Sequence, residues 1–156
     1  MSQQSKFETI FSIRYAARLH EREYALWSKI ACFFKFMAFM SASAAVYVAI
    51  GENQGVTAII FGVIFIAFQG LEFAIQPTDK KFNALIQKKE FSRLYSERNN
   101  LDETMLQRRY DELCGEDEAS HFESVEQLAY NDVLNEQGCD KTYAYPNRHQ
   151  FIALLA

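Results

Sequence analysis

Two stretches of this chain are almost free of charge, and they limit its fold more than any other feature. Residues 30–50 (IACFFKFMAFMSASAAVYVAI) contain one charge, Lys35, and residues 56–76 (VTAIIFGVIFIAFQGLEFAIQ) contain one, Glu72. As an α-helix, each stretch has about the length that crosses ~30 Å of hydrocarbon. Burying both in a water-soluble bundle would ask the rest of a 156-residue chain to cover two helices that are apolar on every face. There is too little of it. The mean hydropathy of −0.18 hides the pattern, because the charge lies outside these two stretches. The fold class expected is an all-α membrane protein.

Gly51-Glu52-Asn53-Gln54-Gly55 is too short for anything but a reversal, so spans 30–50 and 56–76 read as an antiparallel hairpin with both flanks on one side. Residues 1–29 carry five basic and three acidic side chains, and residues 79–98 carry six and three. Lys29, Lys80, Lys81, Lys88 and Lys89 lie nearest the spans, and the connector has no basic residue. The positive-inside rule then places both termini in the cytoplasm. Tyr24 and Trp27 suit an interfacial aromatic belt. Ala42-Ser43-Ala44 has the spacing of a signal-peptide cleavage site, but its charged lead is too long and the apolar run continues to Ile50.

With the connector centred on Asn53, residues whose numbers total about 106 share one depth in a hairpin of helices. Lys35 then sits opposite residue 71, beside Glu72. Charges at that depth are costly unless they pair, face water or snorkel to the interface. Lys35 and Glu72 are read as a pair, or as part of a polar path with Gln69 and Gln76, which lie at helical spacing from Glu72; separate snorkelling is the alternative. Small residues recur every four positions, Ser41/Ala45/Ala49 and Ala58/Gly62, which permits close helix packing within the hairpin.

Four regions follow: an N-terminal cytoplasmic amphipathic helix (1–29), the transmembrane hairpin (30–76), a C-terminal cytoplasmic helical region (77–138) and a tail (139–156). In the first, Phe7, Phe11, Tyr15, Leu19 and Leu26 recur at helical spacing. After Pro77, helices are expected from a Thr78 cap to about residue 98, over about 102–114, and over about 120–137. The last would open on the capping-box spacing Ser120-x-x-Glu123 and stop at Gly138.

Catalytic patterns are missing from the sequence. Cys32, Cys114 and Cys139 form no Cys-x-x-Cys and are expected as free thiols. Glu118-x-x-His121 is half of a carboxylate di-metal arrangement with no second half. His20 and His149 have no ligand-spaced neighbours. No Gly-rich phosphate loop, nucleophile elbow or zinc-protease helix occurs. Residues 99–140 hold twelve acids against Arg108 and Arg109, which argues against a nucleic-acid partner. No enzyme, cofactor or metal is expected.

The run Arg14-Tyr15-Ala16-Ala17-Arg18-Leu19-His20-Glu21-Arg22, the short two-span hairpin and the long helix after it resemble the SLATT proteins, two-transmembrane effector domains of bacterial conflict and antiviral systems. Residues 109–113 (RYDEL) and 129–134 (AYNDVL) are similar to the helical end of many members. The resemblance implies a pore-forming or membrane-disrupting effector in a bacterial inner membrane, multi-pass, with a separate cytosolic sensor or activating protein. It supplies no catalytic residue.

Two functional expectations result. One is an oligomeric effector, in contact with lipid and with copies of itself, in which Lys35, Gln69, Glu72 and Gln76 line a water-accessible route near the inner face. Ser41, Ala45, Ala58 and Gly62 pack its helices. The other is a non-conducting anchor whose acidic helical region recruits or scaffolds a cytosolic partner.

Overall fold

The computed structural model describes residues 2–50, 55–117 and 122–139. Five helices follow in order: α1 (Ser2–Ile50), α2 (Gly55–Ile75), α3 (Pro77–Glu97), α4 (Glu103–Gly115) and α5 (Glu123–Glu136). No strand occurs among the described residues. The all-helical class read from the sequence is observed, and two of the helices are long and apolar enough to cross a membrane.

Helix α1 is 49 residues long, roughly 73 Å at 1.5 Å per residue. Neither glycine nor proline occurs before Gly51, so nothing in the sequence interrupts it. The N-terminal amphipathic helix and the first apolar stretch are one element.

The second and third helices meet one residue earlier than expected. Thr78 is not the cap; α3 begins at Pro77, whose missing N–H and fixed φ suit a first helical position. A proline disfavours the right-handed helical region for the residue before it. Gln76 leaves the helix with φ +50° rather than the extended geometry common before proline, the one non-glycine with positive φ among the described residues. That conformation costs roughly 1–2 kcal/mol for an L-residue. Hydrogen bonds persist across the break, from the Gln76 N–H to the Glu72 carbonyl (2.9 Å) and from the Lys80 N–H to the Gln76 carbonyl (3.2 Å).

The start of α5 also differs. Its N-cap is Phe122, in extended conformation, so Glu123 is the first helical residue and cannot complete a capping box. Ser120, Glu118 and His121 lie outside the described residues, as do the connector 51–54 and the tail from residue 140. The other end forms as read: Gly138 has φ +73°, and the Cys139 N–H donates to the Leu134 carbonyl at 2.9 Å, the six-to-one bond of a Schellman stop.

The chain divides into two compact units, Met1–Leu26 with Lys81–Ala156, and Trp27–Lys80. In the first, the helical unit, α1 is buried on two sides. Ile13 packs with Leu94 and Leu106, while Ala16 and Ala17 pack with Phe91; Tyr110 and Leu113 lean on both clusters. Elsewhere on α1, Phe11 and Tyr15 meet Tyr130 of α5 edge-on, with ring centroids at 5.6 and 6.2 Å. The expected stripe was therefore incomplete: Phe7 is 59% exposed, and the small residues Ala16 and Ala17 are buried beside Phe91.

In the second, the hairpin unit, α1 and α2 run antiparallel. Phe33 and Phe34 meet Phe68 at 6.2 and 6.3 Å, and the Lys80 ammonium lies 4.6 Å over the Trp27 ring. Both contacts fall within about one turn of the expected equal-depth register. No described side chain of α2 is buried. Val56, Ile59, Ile60, Val63, Ile66 and Phe73 are each at least 54% exposed, and Phe33, Phe36 and Phe39 of α1 are similarly open.

Candidate functional site

The four polar residues singled out in the hairpin occupy different settings. Lys35 is exposed on α1, Gln69 and Glu72 are half-buried on α2, and Gln76 is exposed at the left-handed junction. Periodicity explains the difference. On α2 the less exposed positions are Phe61, Gly62, Phe65, Phe68, Gln69, Glu72 and Ile75, which recur with the helical period, so Glu72 shares the flank that carries the Phe68 contact with α1. On α1 from Trp27 onward the buried positions among the described side chains are Trp27, Ala31, Phe34 and Ser41, and Lys35 is one residue off that stripe. Among the described residues neither Lys35 nor Glu72 forms a side-chain ion pair.

Of the small residues, Ser41 is buried, and its hydroxyl donates to the Met37 carbonyl at 2.8 Å, satisfying itself inside α1. A β-carbon added at Gly62 would meet nothing within 4 Å, so packing inside the chain does not require glycine there. The side chains of Ala45 and Ala58 lie outside the described ones.

A second set of functional groups lies in the helical unit, and the sequence reading did not assemble it. Carboxylates of α5 bind guanidiniums of α1: Arg14 pairs with Glu136 at 2.8 Å, Arg18 reaches both Glu136 and Glu21, and Arg22 holds Asp132 through two bonds of 2.8 and 3.0 Å. Lys88 of α3 donates to Glu21 at 2.8 Å. The acidic α5 thus covers the basic side of α1. Spacing along α1 (14, 18, 22) could have revealed the basic row, but no sequence rule paired it with residues more than a hundred positions away.

Arg18, Glu21, Arg22, Ala25, Asp132, Asn135 and Glu136 line a groove of about 450 Å³. Both guanidiniums in it are already engaged by three carboxylates, so it offers no net positive charge for an anion. Among the described residues no cluster of three or more His, Cys, Asp or Glu could hold a metal ion. Burial pushes the Cys114 thiol up, and nearby Asp111 and Asp117 act in the same direction against a hydrogen bond with Tyr110. That makes it a weak nucleophile. Burial, then Glu126 and Glu23, pushes Tyr15 up to about 12.

The bridging carboxylates give the helical unit an acid-sensitive clamp. Burial alone would raise Glu21, but hydrogen bonds and charge from Lys88 and Arg18 outweigh it and hold its carboxyl below the ordinary value of 4.5. Glu136 behaves likewise, with Arg14 and Arg18 overcoming burial. A carboxyl depressed in the folded state stabilises the fold above its unfolded value, and that gain is lost as pH falls through the folded value. The thermal midpoint of detergent-solubilised protein, followed by circular dichroism, is expected to fall below about pH 4.5. Glu21→Gln/Glu136→Gln should start lower at neutral pH and lose less on acidification. A double variant with the wild-type profile would remove these residues from the clamp.

His20 was also set aside in the sequence reading, for want of ligand-spaced neighbours. Here it is 1% exposed, with Nδ1 3.1 Å from Glu23 Oε2 and Nε2 3.2 Å from Asp117 Oδ2, and its ring stacks on Phe91 at 5.5 Å. Its position on the buried row Ile13, Ala16, Ala17, His20 was readable from helical spacing. Its partner Asp117 was not.

No family model, curated protein or solved structure matches this chain.

Proposed function

We propose that this chain is a two-span membrane effector of the bacterial inner membrane that assembles with copies of itself and breaches the bilayer, with both termini in the cytoplasm. The observation that carries this reading is α2, 21 residues long with Glu72 as its one charge and without a buried side chain among those described. Such a surface is stable against hydrocarbon and unstable against water.

Lys35, Gln69, Glu72 and Gln76 provide the polar side of the route, since polar groups inside a membrane are tolerated where they face protein or water. The outer halves of both spans are nearly wholly apolar, which gives a hydrophobic gate that keeps a resting assembly closed by dewetting. The resemblance to SLATT proteins supports the effector role and a separate cytosolic sensor as trigger. The acidic helical region offers that partner a surface.

Expression in bacteria with a membrane-impermeant dye tests the reading, alongside a chimera in which residues 27–80 are replaced by an unrelated two-span hairpin. Dye entry and growth arrest with the native hairpin, both lost in the chimera, are the expected results. A chimera that arrests growth as well as the native chain, with membranes intact, would replace the effector by the non-conducting scaffold.

A further inference from the structure

Resting on the reading above of α1 and α2 as spans of a self-assembling protein, we propose that two copies pack face to face in the membrane, with Lys35 of each copy paired to Glu72 of the other. Lys35 is the one basic residue of the first apolar stretch, and Glu72 the one acidic residue of the second. Within one copy they share a depth without forming an ion pair, because Lys35 is exposed beside the stripe that faces α2. A lone charge at that depth is costly, whereas a lysine and a carboxylate brought together from two copies compensate each other.

The surfaces around the two charges match. On α1, the exposed residues Lys35, Phe39, Ala42 and Val46 recur at spacings of four, three and four. On α2, the half-buried Gly62, Phe65, Gln69 and Glu72 recur at three, four and three. These are the spacings of a seam between packed helices. Lys35 follows Phe34 and Gln69 follows Phe68, and those two rings meet inside the chain. Each seam is therefore turned about 100° from the intrachain contact, in the same sense. Because the helices are antiparallel, turns of one sense bring both seams to the same face of the hairpin. That face is its own complement. A two-fold axis along the membrane normal lays α1 of each copy antiparallel on α2 of the other, so every contact occurs twice. One register then satisfies all four steps: Lys35 meets Glu72, Phe39 meets Gln69, the small Ala42 meets Phe65, and Val46 meets Gly62. The paired residue numbers total about 107 at each step, close to the equal-depth register of the hairpin itself. Gly62 has open space where a β-carbon would stand, and the Val46 side chain of the other copy takes it.

The test co-expresses two differently tagged copies of the full chain in bacteria, extracts the membranes in mild detergent and captures one tag. Wild-type copies should capture one another. Lys35→Glu with itself sets two carboxylates at each contact, and Glu72→Lys with itself two ammonium groups. Each should capture itself at least about tenfold less than wild type. Lys35→Glu mixed with Glu72→Lys puts opposite charges at both contacts, so capture should return close to the wild-type level. A pair formed inside one chain could not be mended by mixing. Gly62→Leu should also lower capture, without any change of charge, by filling the space for Val46. Should a charge variant fail to reach the membrane, Gly62→Leu decides, since its β-carbon meets nothing within its own chain. Charge variants that capture themselves as well as wild type, a mixture no better than either variant alone, or an unaffected Gly62→Leu overturn the contact while leaving assembly in place. Wild-type copies that do not capture one another overturn assembly itself, and the contact with it.

Discussion

Val63→Arg is expected to abolish stable membrane insertion. Val63 lies near the middle of α2 and is 60% exposed. On a soluble protein, an exposed valine replaced by arginine changes stability by roughly 0.5 kcal/mol or less. At the centre of a spanning helix the same change costs about 3 kcal/mol, because the guanidinium loses its water while the valine was already at ease in hydrocarbon. That is more than a hundredfold in an equilibrium between inserted and uninserted states. The two settings therefore predict opposite outcomes from one substitution. The fraction of chain that resists alkaline extraction from membranes reads it directly, with Val56→Arg at the end of α2 as the control whose side chain can reach the headgroups. A Val63→Arg chain that stays in the membrane as well as wild type would remove the basis for placing α2 in lipid.

The two long apolar helices were legible because their signal needs no partner: a run of about twenty apolar residues without a proline break reads as a helix from its own sequence. The end of α5 at Gly138 was local too, because a glycine in left-handed conformation closes a helix through its own neighbours. What failed to show was rotation and distance. Equal depth placed Lys35 near Glu72, but pairing also depends on which way each side chain points around its helix axis. Lys35 lies off the stripe that faces α2, while Glu72 lies on the stripe that faces α1. Ala16 and Ala17 lie outside the stripe of large apolar residues read from helical spacing, yet they pack with Phe91. The bridges from Arg14, Arg18 and Arg22 to α5 join helices from opposite ends of the chain, which charge spacing on one helix cannot anticipate.

Phe91→Ala should be the most damaging single change in the helical unit. The ring is 1% exposed, packs on Ala16 and Ala17, stacks on His20, and lies 6.2 Å from the Tyr110 ring. Truncating a buried phenylalanine costs about 3–5 kcal/mol, from lost burial and from the cavity left behind. The neighbours cannot close that cavity cheaply: two are alanines, with no side chain to extend, and His20 is tied to two carboxylates. The upper part of the range is therefore expected. Phe82→Ala on the same helix is the matched control, since Phe82 is 54% exposed and its loss leaves no void. It should melt within a few degrees of wild type, whereas Phe91→Ala should lower the midpoint by more than about 10 °C or leave the helical unit unfolded. Circular dichroism separates these results, because helix signal from the hairpin should persist when the helical unit melts. Equal effects at the two positions would mean that α3 does not present Phe91 to α1, and the core described around Ala16 and Ala17 would have to be redrawn.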